Sequence, residues 1–96
     1  MPTRKIPRPF SMHWGSGPII EEAGFDGDHT ATAIQLMRFD NGEAAGSQSI
    51  RFCHFSHRGQ LQRSPLIISE DKTNALREAV AQTPELQRLL LRIAGG

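Results

Sequence analysis

The sequence predicts an α+β fold in which a three- to four-stranded antiparallel sheet is followed by two C-terminal helices. Three observations carry this. Apolar and β-branched residues alternate or cluster in short runs between residues 30 and 68, the spacing of strands. Reversal signals, Asn41-Gly42 and His57-Arg58-Gly59, separate these runs, so neighbours pair as hairpins. Beyond Ser69 the apolar spacing lengthens to that of a helix. With 96 residues and one cysteine, the chain is expected to form one domain with one compact core and no disulfide framework.

Residues 1–17 read as a flexible, basic, proline-rich tail, and residues 18–96 as the domain. The first eighteen residues hold four of the six prolines, together with Arg4, Lys5 and Arg8, and proline with its preceding residue disfavours helix. Pro18 to Glu22 is a short extended run, and Gly24 to Asp28 has the glycine and aspartate chemistry of a turn. Thr30 to Asp40 is a strand. Ser47 to Ser56 is the clearest strand, because a period of two puts Ile50, Phe52 and His54 on one face and Arg51, Cys53 and Phe55 on the other. Gln60 to Ile68 pairs back on it as a hairpin, at an edge, bulged, or broken near Pro65, which cannot donate to a ladder.

Ser69 then serves as an N-cap, with Glu70 and Asp71 at the positive end of the first helix and Ala75, Leu76, Ala79 and Val80 forming its stripe. That helix ends near Gln82. Thr83-Pro84-Glu85 starts a second, in which Leu86, Leu89, Leu90 and Ile93 fall on one side, and Gly95-Gly96 closes it. The helices are expected to lie on one face of the sheet.

The formal charge of +1 is a cancellation. Residues 1–17 carry +3 and residues 18–46 carry −5, while residues 47–96 carry +3 from seven bases against four acids. No carboxylate occurs from Ala44 to Ser69, a stretch that contains Arg51, Arg58 and Arg63 with His54, His57, Phe52 and Phe55. Such local polarity bears on partners. No apolar run approaches the roughly 18 residues of a membrane span, and no apolar leader follows the basic N-terminus, so a cytoplasmic location and no membrane partner are expected.

Several catalytic and metal motifs are set aside. Cys53, His54 and His57 have zinc-ligand chemistry, but on a strand Cys53 and His57 lie about 13 Å apart while His54 points the other way. Asp26-Gly27-Asp28-His29 starts like a calcium loop, yet Met37 stands where the bidentate glutamate belongs. Neither a nucleophile–base–acid set nor a glycine-rich phosphate loop is present, so no enzyme, cofactor or metal is expected. The terminal diglycine resembles that of ubiquitin-like modifiers, but directly after an amphipathic run it reads as a helix cap.

What remains is Arg38, Arg51, Phe55, His57, Arg58 and Arg63, with the basic tail. Aromatic residues that stack bases and arginines that follow phosphates suit single-stranded nucleic acid. The pattern Ile50-Arg51-Phe52, Gly59-Gln60-Leu61, Pro65, Ile67-Ile68-Ser69 and Ala75-Leu76 resembles the single-stranded-DNA-binding domain of the positive-cofactor-four transcriptional coactivators, and the related whirly proteins. The resemblance spans about residues 34–82 and implies four antiparallel strands and a helix, a dimer, and unpaired DNA bound on curved sheets. The family's lysine-rich loop is represented only by Arg63-Ser64-Pro65, and the helix from Thr83 is additional.

The leading expectation is therefore a small, non-catalytic, transcription-related module that binds single-stranded DNA or RNA as a homodimer. The alternative is a protein-interaction or assembly domain that uses an apolar sheet face and the last helix. Large apolar groups stand on both strand faces, Ile34 and Leu36 opposite Met37 and Phe39, and Phe52 opposite Phe55. One helical layer covers one face, so the tail, a second copy or a ligand must cover the other. A basic uncovered face favours nucleic acid, an apolar one a polypeptide.

Overall fold

The computed structural model describes residues 5–56, 58–61 and 65–96. It is α+β. Strands β1 (Arg8–Met12), β2 (Gly15–Asp26), β3 (Thr30–Arg38), β4 (Gln48–Ser56) and β5 (Leu66–Ser69) form one antiparallel sheet in sequential order. A 3-10 turn at Glu70–Lys72 leads to α1 (Thr73–Val80) and α2 (Pro84–Ala94).

Sheet-then-helices is the predicted order, but the sheet has five strands instead of three or four. The extra strand comes from the segment expected to be a tail. Proline is tolerated at a sheet edge, and Pro9 stands in β1, an edge strand, opposite Pro18 of β2. What holds β1 in place is Phe10, 7% exposed, whose ring meets that of Phe39 edge to face at 4.9 Å between centroids. β2 likewise continues to Asp26, through the expected turn, and reverses only where the Gly27 N–H donates to the Thr30 carbonyl at 2.8 Å.

The alternation read for β4 is observed, with Ser49, Arg51, Cys53 and Phe55 buried and Phe52 and His54 exposed. They share the inner face with Ala31, Ala33, Gln35 and Met37, their register partners on β3 being in line. The β4–β5 hairpin ends the sheet in an edge strand, as expected: β5 starts at Leu66, just after Pro65, and Leu61 makes an isolated bridge to Phe55.

The sheet is curled. Residues of the β1–β2 turn, His13 and Trp14, line one groove with Ile67 of β5, so the two edge strands approach each other across the inner face. Close approach beside the β1–β2 turn depends on glycine: a Cβ on Gly17 would overlap the Arg38 carbonyl oxygen.

The second helix starts at Pro84 and ends at the glycines, as expected, whereas Ser69 precedes a 3-10 turn and α1 begins only at Thr73, and neither Ser69 nor Thr83 makes a side-chain cap bond. Gly95 adopts φ +87° and its N–H reaches the Arg92 carbonyl at 3.3 Å, while the Gly96 N–H reaches that of Leu91 at 2.7 Å. Their placement differs from expectation. The 3-10 turn adjoins β4, but neither helix buries a residue, so no helical layer covers the sheet within one chain. The short 3-10 turn after edge strand β5 leads them off the sheet instead of back across it.

Gly17→Ala is expected to lower stability by about 1–3 kcal/mol, because backbone must shift to admit the methyl group. Gly46→Ala, at φ +89° with open space around it, should cost about 1 kcal/mol. Urea denaturation of the two variants checks the order; equal losses would place no close approach at Gly17.

Candidate functional site

The inner face is organised by a row of polar side chains. Arg51 on β4 donates from Nε to Gln35 Oε1 on β3 at 2.6 Å, and Gln35 Nε2 donates to Glu22 Oε2 on β2 at 2.6 Å. Glu22 in turn receives both terminal nitrogens of Arg8 on β1, at 2.9 and 2.7 Å. Gln35 is fully buried and Arg51 nearly so. A buried cation is tolerated only with hydrogen-bonding partners and compensating charge, and this row supplies the first directly and the second through the Gln35 amide.

Apolar clusters flank the row on both sides. Phe10, Ile19, Met37 and Phe39 pack on one, and Ala31, Ala33, Cys53 and Phe55 on the other. The Cys53 thiol lies 3.7 Å from the Ala33 carbonyl oxygen. Burial pushes its pKa up, against the lowering influence of the neighbouring Arg51 cation.

The residues singled out for nucleic acid are divided by this geometry. Arg51 and Phe55 lie inward, Arg51 in the polar row and Phe55, 5% exposed, in the core. Arg38 is on the opposite, outer face, where its guanidinium reaches Gln48 Oε1 at 3.4 Å, and Arg58 is exposed in the β4–β5 connection. His57 and Arg63 lie outside the described residues. Thus the four that can be placed are not brought together on one open surface.

The outer face is mainly apolar. Ile34 and Leu36 of β3 stand beside Ile50 and Phe52 of β4, which in turn oppose Ile68 and Leu66 of β5. Phe52 and Leu66 are exposed, as is Phe25 at the end of β2. Arg38, Gln48 and Glu70 lie towards one end, with Gln48 Nε2 3.5 Å from Glu70 Oε2, and His54 towards the other. The helices add Leu76, Leu86, Leu89, Leu90, Leu91 and Ile93, all exposed. Phe25 was assigned to a turn from its glycine and aspartate neighbours, and the signal that includes it in a strand is the alternation Glu21, Ala23, Phe25.

A groove of about 660 Å³ lies at the open side of the inner face, between Trp14 and Arg51 on one hand and Leu61 and Ile67 on the other. No group of three or more metal-ligating side chains occurs among the described residues, and no described helix is long and apolar enough to cross a membrane. No protein-family model matches the chain, and neither a curated protein nor a solved structure does.

Two outcomes test the inner face. Gln35→Leu leaves the Arg51 Nε–H and Glu22 Oε2 without this partner and should cost about 1–3 kcal/mol in urea denaturation, although it adds apolar surface to the core. A stabilised variant would show that the row contributes no net hydrogen bonding. The Cys53 thiol should react slowly with a disulfide reagent at pH 8 and rapidly once urea unfolds the chain. As pH rises above about 9, the unfolded thiol loses its proton before the folded one does, so stability should fall there more in the unmodified protein than in Cys53→Ala.

Proposed function

We propose that the protein is a non-catalytic association domain, whose outer sheet face and last helix bind another polypeptide. The observation that carries this reading is the apolar character of the face the helices leave uncovered, centred on Phe52, Leu66, Ile34 and Leu36. Exposed apolar areas of this extent on small proteins mark interaction surfaces. Phe52 and Leu66 stand opposite each other on this face, with Ile34, Ile50 and Ile68 beside them.

Single-stranded nucleic acid is the competing reading. It requires aromatic rings exposed beside cations. Phe55 and Arg51 are committed to the interior, while Phe52 has Ile50 and Ile34 near it on its own face, so support for this reading rests on Arg38, Arg58 and the residues beyond the described ones.

The double variant Phe52→Glu, Leu66→Glu distinguishes them. The unmodified chain is expected either to bind an apolar fluorescent dye when light scattering gives the monomer mass, or to run above that mass. The variant should do neither, while the strand signal of its circular dichroism spectrum is retained. A dye-free monomeric wild type overturns the association reading. So does anisotropy showing a short single-stranded oligonucleotide bound at low salt and lost on Arg38→Ala and Arg58→Ala.

A further inference from the structure

We infer that the polypeptide that fits this surface is a second copy of the chain, the α1–α2 pair of each protomer lying over the outer sheet face of its partner. This rests on the association reading above and names its occupant. The chain carries two unpartnered apolar surfaces, a broad sheet face and an amphipathic helix pair, and neither covers the other within one molecule.

The helices themselves require a surface. α1 has 8 residues and α2 has 11, and isolated helices below roughly 12–15 residues are marginal in water even with favourable composition. In proteins such helices persist because an apolar stripe is packed, and here the stripe Leu86, Leu89, Leu90, Ile93 is 38–70% exposed. The sheet face has the matching deficit, with Phe25, Phe52 and Leu66 37–60% exposed. At roughly 200 Å² for a fully exposed large side chain, these seven leave on the order of 750 Å² per chain. A standard stable interface removes about 800 Å² from each partner. The two surfaces of one chain are therefore enough to satisfy those of a second.

Reciprocal exchange also follows from connectivity. The helices leave the sheet at β5, an edge strand, through the 3-10 turn at Glu70–Lys72. They project from the edge, where a neighbouring sheet can receive them, and the same operation returns the neighbour's helices. Where both contacts form between the same two copies, the pair closes with two-fold symmetry and these two surfaces are not left to propagate an open chain of subunits.

The test uses two single variants, Phe52→Glu on the sheet and Leu90→Glu on α2, followed by sedimentation equilibrium. The wild type should be a dimer and each variant a monomer whose circular dichroism keeps the strand signal and loses helical signal, because the helices no longer have a surface to pack on. An equimolar mixture of the variants should form a heterodimer, weaker than the wild type, because the intact helices of one still meet the intact sheet of the other. A monomeric wild type at high concentration overturns the second copy while the dye measurement still scores the association reading by itself. Dimers that survive both substitutions overturn this inference and that reading together. Loss in both variants without recovery in the mixture means helices pair with helices and sheets with sheets, which overturns the exchange.

Discussion

Four side chains on four strands, Arg8, Glu22, Gln35 and Arg51, form one hydrogen-bonded row across the inner face of the sheet, and the rest of the fold is arranged around it. Each member is specified by its neighbours. Gln35, fully buried, needs both a donor and an acceptor, which Arg51 and Glu22 supply. Because apolar clusters flank the row on either side, a two-residue slip of β3 against β4 would oppose Gln35 to Cys53 or Ser49 and leave the Arg51 cation against apolar side chains. The polar row thus fixes register where the apolar residues alone would accept several.

The row exists because of an irregularity in β2. The pairing shifts between Ile19, opposite Met37, and Glu21, opposite Leu36. Ile20 is the additional residue, and it reverses the parity of everything after it. Ile19 and Glu22 consequently share the inner face although they are three positions apart, and Glu21, Ala23 and Phe25 are turned outward. A single bulge therefore both delivers the carboxylate to the interior and places Phe25 on the outer face, coupling core formation to the surface proposed for association.

This explains which parts of the architecture were legible in the sequence. β3 and β4 alternate regularly and are bounded by turn residues, so their extents and faces could be read nearly directly. The helix pair was equally plain from Thr83-Pro84, the leucine spacing and the closing glycines, because capping is a local property. β1 was not, since its proline content is a local signal for irregular backbone, and only the tertiary contact of Phe10 with Phe39 outweighs it. β2 hid its periodicity behind the bulge. The failure of the helices to cover the sheet was also invisible: local pattern shows that a helix has an apolar side, not which surface that side meets.

The same logic alters the meaning of the charge distribution. An acid-free stretch from Ala44 to Ser69 beside an acidic one from residues 18–46 suggests a cationic surface for a polyanion. In the folded chain the most central cation of that stretch, Arg51, is connected through Gln35 to Glu22 of the acidic one, and Glu22 also neutralises Arg8 of the basic N-terminal segment. Three segments of unlike charge meet in one interior row. Part of the asymmetry along the sequence is accordingly complementarity between strands of the same sheet. With that part satisfied internally, the surface that stands out is the apolar one, and the proposed assembly accordingly rests on exposed hydrocarbon more than on exposed charge.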